Sequence, residues 1–340
     1  MKTRLASICI PSYNRVESLH RLLGSIDDSC SADIDVVVCE DHSEARNNIR
    51  RMISEFRSNS KLTLSYYENR RNFGYDRNLR ELIGKATGKF IIFMGDDDVF
   101  VSGQMPKYIK FLKSNPELGY VLRPFERVHT NGEVESFKYY SATRFFGPGS
   151  DSYVELFRKS IFISGFTINR SYARQFMTDE FDGTLLFQLY LLAEVTLHYP
   201  SAFCDIHLTR QFVANTVPLF GSSDAEKALF TPGEISVVNS VNFMKGFFKI
   251  ARFMDSKYDL QSASRIRLDI SRYSYSVLAV QRHRGLATFM KYVQLLNKEV
   301  RIDVTIYYYI YVVLLSFLGK PACDKLIIAT KRLLGKTPSL

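Results

Sequence analysis

Residues 1–125 are predicted to fold as a mostly parallel α/β sheet with helices on both faces. Three observations carry this. Strand-like apolar runs alternate with segments of helical spacing along the whole stretch. The run Phe90-Ile91-Ile92-Phe93-Met94 is apolar on consecutive residues, as a strand buried on both faces must be. The segments that follow the runs are polar, charged or turn-forming, which suits the carboxyl ends of parallel strands, where such sheets bind ligands.

Leu5–Ile10 is the first strand. Val16–Ile26 follows as a helix, with Leu19, Leu22, Leu23 and Ile26 on one side. Asp35–Cys39 is the second strand and Glu44–Phe56 the second helix. Leu62–Tyr67 and Arg77–Ala86 form the next strand–helix pair. Phe90–Met94 is the fourth strand, Gln104–Lys113 the fourth helix, and Tyr120–Arg123 a further strand. The order is βαβαβαβαβ.

The strand ends then fall on one rim. They are Pro11-Ser12-Tyr13-Asn14-Arg15, Glu40-Asp41-His42-Ser43, Asn69-Arg70-Arg71-Asn72-Phe73-Gly74 and Gly95-Asp96-Asp97-Asp98. Successive carboxylates repel one another. A fold that keeps Asp96, Asp97 and Asp98 together suits an oxygen-ligated Mn²⁺ or Mg²⁺ shared with the phosphates of a nucleotide. Taken alone, an Asp-rich surface turn explains them as well. Arg15, Arg70, Arg71 and Arg77 are candidates to meet phosphate oxygens. Glu40 or Asp41 can accept hydrogen bonds from a base or ribose, and Tyr13 offers a stacking face. Neither a dinucleotide-binding glycine fingerprint nor a P-loop is present.

The series Ile8-Cys9-Ile10-Pro11-Ser12-Tyr13-Asn14-Arg15, Val36-Val37-Val38-Cys39-Glu40-Asp41-His42-Ser43, Asn72-Phe73-Gly74 with Asn78, and Gly95-Asp96-Asp97-Asp98 resembles the N-terminal half of the family 2 glycosyltransferases in order and spacing. The resemblance implies a GT-A fold binding a nucleotide-sugar. It implies that Pro11, Tyr13 and Arg15 line the nucleotide pocket, that Asp41 contacts the base and Asp96 the ribose, and that Asp98 ligates the metal. Glu40, Asn72, Arg77 and Asp97 complete the expected nucleotide-sugar site.

Residues 126–235 are expected to form the acceptor half of a catalytic domain spanning 1–235. Val134–Tyr140 reads as a strand, Asp151–Ser160 as a helix, Ser164–Arg170 as a strand or turn, and Ala173–Met177 and Leu185–Leu197 as helices. Inverting members of the family open the last of these helices with an acidic pair that supplies the catalytic base. Here the helix begins Leu185-Leu186-Phe187-Gln188, without the pair. The nearest carboxylates are Asp179, Glu180, Asp182 and Glu194. Asp182 is the candidate base; a helix-capping role accounts for it equally. His198 and His207 read as structural.

Residues 236–340 read as several helices. Val304–Leu318 carries no charge and includes Tyr307, Tyr308, Tyr309 and Tyr311, but falls short of the roughly 20 apolar residues a spanning helix needs. Lys320–Lys336 is basic and amphipathic, with Leu326, Ile327, Leu333 and Leu334 among Lys325, Lys331, Arg332 and Lys336. The charge is uneven. Residues 245–340 hold 17 Lys/Arg against 6 Asp/Glu, whereas residues 1–244 hold 28 against 29, so the whole net charge of +10 sits in the last segment. The expected partner of that segment is an anionic membrane surface, with helices packed on the catalytic domain as the plainer reading.

The five cysteines show no CxxC spacing, which predicts a reducing compartment and no zinc site. Met1-Lys2-Thr3-Arg4 leads directly into a strand without a signal peptide, so the expected location is the cytoplasm, peripheral to the inner face of the cell membrane. The expected activity is metal-dependent transfer of a sugar from a nucleotide-sugar to a lipid-linked oligosaccharide, with no nucleic-acid partner. Ser164-Gly165-Phe166 and the helical C-terminus are similar to the O-antigen dideoxyhexosyltransferases such as abequosyltransferases, which implies a CDP-dideoxyhexose donor. The alternatives are a nucleotidyltransferase acting on sugar phosphates, for which Pro11–Arg15 makes a poor phosphate loop, and a non-enzymatic nucleic-acid-binding protein, which would not need the acidic rim.

Overall fold

Burial on both faces defines the central strands. Every residue of Ile34–Glu40 and Phe90–Phe93 is buried, as are six of the seven in Ala6–Ser12. Side chains such as Ile8, Ile10, Val36, Val38 and Ile92 are fully inaccessible, each worth about 1.5–3 kcal/mol of transfer free energy. The computed structural model describes residues 4–129, 132–212 and 219–334, with side chains to Ala329. It divides into two compact units, Met1–Ala228 and Leu229–Leu340.

In the first unit the elements run β1 (Ala6–Ser12), α1 (Val16–Gly24), β2 (Ile34–Glu40), α2 (Arg46–Asn59), β3 (Leu64–Glu68), α3 (Tyr75–Lys85), β4 (Phe90–Phe93), β5 (Val99–Phe100), α4 (Met105–Ser114), β6 (Tyr120–Leu122), β7 (Phe125–Val128), β8 (Val134–Phe137), β9 (Arg144–Phe146), α5 (Ser150–Phe157), β10 (Phe166–Asn169), α6 (Arg170–Gln175), α7 (Phe187–His198), β11 (Ser201–Phe203), β12 (Thr209–Phe212) and α8 (Asp224–Lys227). The amphipathic α1 buries Leu19, Leu22 and Leu23. It stops at Ser25, whose hydroxyl donates to the Leu22 carbonyl at 2.6 Å.

The main sheet has the order β3-β2-β1-β4-β10-β6-β11-β9. The first four strands are mutually parallel. β10 runs antiparallel to both β4 and β6, so β6 keeps the direction of β4, and β11 continues it. The sheet is mostly parallel, as expected, but Tyr120–Leu122 does not lie beside β4: the Phe166–Asn169 segment is inserted between them. Of the second sheet, β5-β12-β7-β8, only β8 falls within a strand expected from the sequence, Val134–Tyr140. Its strands span only two to four residues each, too short for a clear periodicity.

A buried polar pin locks the amino ends of the central strands. Ser7 Oγ donates to Asp35 Oδ1 at 2.6 Å and Thr87 Oγ1 to Asp35 Oδ2 at 2.7 Å, while the Gly88 amide donates to Ser7 Oγ at 2.8 Å. A Cβ at Gly88 would come within 2.5 Å of the β1 backbone, so no larger residue fits there.

The second unit is helical: α9 (Val237–Tyr258), α10 (Ser262–Arg272), α11 (Tyr275–Arg282), α12 (Leu286–Glu299) and α13 (Ile306–Leu334). Asp255 of α9 caps α10, accepting the amides of Ser262 at 2.7 Å and Ala263 at 3.0 Å. α13 is broken at Gly319, whose φ of 73° is non-helical, with Pro321 following. That break separates the uncharged run from the basic segment. Lys336 lies outside the described residues, as do the side chains of Lys331, Arg332, Leu333 and Leu334. Before the break, Tyr308 and Leu315 are buried, whereas Ile306, Tyr307, Tyr309, Ile310, Val313 and Phe317 are exposed. No helix among the described residues is long and apolar enough to cross a membrane.

Candidate active site

β1 and β4 are adjacent parallel strands, so the chain leaves both at the same edge. The loop after β1 is tied to the acidic triad after β4. The Tyr13 amide donates to Asp96 Oδ2 and Arg15 Nη1 to Asp96 Oδ1, both at 3.1 Å, and Arg15 also pairs with Asp97. Asn14, at φ 57°, turns the loop, and its Oδ1 accepts the Ala45 amide at 3.1 Å. One guanidinium therefore bridges two carboxylates, the buried Asp96 and the half-buried Asp97. Burial pushes the Asp96 carboxyl up to about 7, against the pull of Arg15.

Asp98 is 2% exposed. Its Oδ2 accepts a hydrogen bond from Ser164 Oγ, and the same Ser164 Oγ accepts the Gly95 amide at 2.8 Å. Its Oδ1 is buried without a hydrogen-bond partner. Burial, reinforced by Asp97, raises this carboxyl well above the usual range. A buried carboxylate oxygen without a partner is of the chemical type that hard cations take as a donor. No group of three or more His, Cys, Asp or Glu side chains able to hold a metal occurs among the described residues. Mg²⁺-type sites do not require one, because substrate phosphates and water supply most of the coordination.

The segment after β2 is held by its two carboxylates. Glu40 Oε1 accepts the Ser43 amide at 2.9 Å. Asp41 accepts Asn69 Nδ2 at 2.7 Å, the Phe73 amide at 2.9 Å and the Gly74 amide at 2.8 Å. Its carboxylate thus shapes the 69–74 loop, and burial pushes it up to about 6. Asn72 is held between the Gly74 amide and Ser222 Oγ, each at 2.9 Å. Arg77 stacks on Phe73 at 3.8 Å, while Arg70 and Arg71 are exposed. Pro11 and Tyr13 are half-buried.

Asp182 is ion-paired with Arg80 at 2.6 Å, and its Oδ1 is unpartnered and buried. Burial raises its pKa, with Arg80 opposing. It is not a helix cap. Asp76, from α3, accepts the amides of Leu185 at 2.8 Å and Phe187 at 2.9 Å and so caps α7. None of the side-chain contacts of Asp182 is to the acidic triad. His198 bonds within its own helix to the Glu194 carbonyl, and His207 bonds to Ser136 Oγ, both at 2.8 Å.

Three residues that sequence reasoning passed over support the site. Ser164 orients Asp98. Arg123, fully buried, donates Nη2 to the Ser164 carbonyl at 2.9 Å and Nη1 to Tyr108 Oη at 3.1 Å. Glu226 accepts the Tyr75 amide at 2.8 Å and the Gly221 amide at 3.0 Å, fastening the 69–75 turn. Only Ser164 left a trace in the sequence, through the Ser164-Gly165-Phe166 segment.

Residues 7–172 match the family model described as glycosyl transferase family 2. Over 114 residues the chain is 30% identical to abequosyltransferase RfbV of Salmonella typhimurium, covering 34% of each chain. Over 137 residues it is 27% identical to the UDP-Glc:alpha-D-GlcNAc-diphosphoundecaprenol beta-1,3-glucosyltransferase WfgD of Escherichia coli, covering 40% of this chain and 52% of that one. The chain thus spans about a third to a half of the length of the curated relatives it matches. The structure of S. aureus TarS 1-349 in complex with UDP-GlcNAc superposes with a TM-score of 0.61 at 14% identity, covering 97% of this chain and 92% of that one. The fold is of the GT-A type.

Proposed function

We propose that this chain, whose residues 7–172 form a family 2 glycosyltransferase domain, transfers a sugar from a nucleotide-sugar to a hydroxyl of a lipid-linked oligosaccharide in bacterial surface-polysaccharide assembly. The observation that carries the reading is the buried, half-partnered Asp98 at the end of β4, beside Asp96 and Asp97. The catalytic domain is residues 1–235, with nucleotide binding in 1–125 and the acceptor half in 126–235.

Pro11, Tyr13, Arg15, Glu40, Asp41, Asn72, Arg77, Asp96 and Asp97 form the nucleotide-sugar site. Direct contact falls to the half-buried Tyr13 and Arg77, while Arg15 acts by holding Asp96 and Asp97 and Asp41 by holding the 69–74 loop in shape. Asp98 Oδ1 is the atom that would hold Mn²⁺ or Mg²⁺. When bound there, the cation supplies Lewis-acid stabilisation of the charge that develops on the leaving diphosphate. Asp182 takes the proton of the attacking hydroxyl; burial holds its carboxyl above the usual range, with Arg80 opposing. The resemblance to abequosyltransferases implies a CDP-dideoxyhexose donor, and the likeness to WfgD supports a UDP-hexose donor and a diphosphate-linked lipid acceptor as the other choice. The test supplies CDP-, UDP-, GDP- and dTDP-sugars with a lipid-linked acceptor and follows labelled sugar into the lipid fraction. Transfer from one donor class, lost on chelation, is expected. No transfer from any of the four would sink the reading.

The second unit belongs on the membrane. Along α13, Ile306 is 68%, Val313 53% and Phe317 84% exposed, in a segment with a strong basic excess. Exposed apolar side chains together with basic charge favour an anionic bilayer surface, each basic residue contributing about 1 kcal/mol. The full chain is expected to co-sediment with anionic vesicles, less so at high salt because charges are screened over roughly 10 Å at 0.1 M. Equal partitioning of the full chain and of Phe317→Ser/Val313→Ser would remove the membrane contact.

A further inference from the structure

One arginine at the edge of the site has its position fixed but its charge unspent. Arg127 lies on β7, paired across the second sheet with Gln211 and Glu135. Its Nε donates to Gln211 Oε1 at 2.8 Å and its guanidinium lies over the Phe137 ring at 4.6 Å. Those two contacts set the plane of the fork. Its Nη groups have no protein acceptor and no ion pair among the described residues. Other arginines differ: Arg210, on the paired strand, is bonded twice to Glu126, at 2.6 and 2.8 Å, and Arg15 is ion-paired with Asp96 and Asp97.

The same sheet face leads to Asp98. Alternate residues of a strand share a face, so Phe125 and Arg127 sit about 7 Å apart on it. Phe125 packs on Phe162 at 4.4 Å. Thr209, the cross-strand partner of Phe125, donates Oγ1 to the Ser164 carbonyl at 3.0 Å, and Ser164 holds Asp98. The acidic groups acting on Arg127 are Glu135, Tyr139 and Asp98. Of these, Glu135 is already engaged by His129 at 3.0 Å. Burial works against the charge of the guanidinium, and these acidic groups only partly offset it. A planar fork with free donors, on the sheet face that leads through Thr209 and Ser164 to Asp98, matches phosphate geometry.

We propose that Arg127 receives a phosphoryl oxygen of a substrate, making it a binding residue of the sugar-transfer site. This rests on the reading of that site given above. The phosphoryl group has two sources, the donor nucleotide and the lipid diphosphate of the acceptor. The test measures binding of the nucleoside diphosphates CDP, UDP, GDP and dTDP with Mn²⁺, and separately of a short-chain polyprenyl diphosphate, to wild type, Arg127→Gln and Arg127→Lys. Thermal melting checks that the variants fold. Arg127→Gln is expected to weaken one of the two ligand classes by about 10- to 100-fold, with Arg127→Lys recovering part of the loss. A nucleotide effect assigns the donor, and a polyprenyl effect the acceptor. A wild type that binds nucleotide with both variants unchanged in both arms overturns this inference alone. A wild type that binds neither class overturns the functional reading as well.

Discussion

Replacing Asp98 with Asn is expected to cut sugar transfer by more than about 100-fold, equivalent to roughly 3 kcal/mol of lost transition-state stabilisation. Asn has the shape of Asp and keeps an oxygen for the Ser164 hydroxyl, so the Asp98–Ser164–Gly95 arrangement survives. What disappears is the charge on the unpartnered Oδ1. The fold itself should not suffer. Burying that carboxylate next to Asp96 and Asp97 opposes folding, so the melting temperature of the Asn variant should equal or exceed that of wild type. Transfer assays alongside thermal melts check both halves. A folded variant with full activity would show that Asp98 has no part in the chemistry.

The second large effect falls on stability. Asp76→Ala leaves two buried amides, those of Leu185 and Phe187, without an acceptor. Each such loss costs about 1–3 kcal/mol, so a total of about 2–6 kcal/mol and a fall in Tm of roughly 4–24 °C are expected. Burial pushes the Asp76 carboxyl from its ordinary 3.8 to about 7, against the pull of those amides. Between these values the folded state keeps a proton that the unfolded state has released. The contribution of Asp76 is therefore greatest below about pH 4 and is lost as the pH rises through about 7. Asp76→Asn should flatten that part of the stability profile. A variant with the wild-type slope between pH 4 and 7 would place the pH dependence elsewhere.

The half of the fold that holds the rim was legible because parallel strands buried on both faces leave continuous apolar runs, as in Val36–Val38 and Phe90–Met94. The second sheet was not. Val99–Phe100 spans two residues, and Phe125–Val128 mixes aromatic and charged side chains, so neither shows a period. The order of the acidic rim was readable, but the use made of each carboxylate was not. Asp41 and Asp98 look alike in sequence. One is saturated by the amides of Phe73 and Gly74 and the side chain of Asn69, while the other keeps a bare oxygen. The capping role weighed for Asp182 belongs to Asp76, whose partners are more than 100 residues away, a relation no local pattern encodes. Arg127 acquires its meaning only when β7 and β12 pair.

The central claim is that the acidic rim after β4 binds a nucleoside diphosphate together with a divalent cation. It is tested most directly by the thermal shift of wild type and Asp98→Asn with UDP, GDP, CDP and dTDP, with and without Mn²⁺. Ligand binding raises apparent stability by mass action, by about 2.7 kcal/mol at a hundredfold excess over Kd. The account predicts that one nucleotide raises the wild-type Tm, that it does so only with Mn²⁺, and that Asp98→Asn loses the shift. A shift of equal size in the variant, or no shift with any nucleotide in wild type, would contradict it.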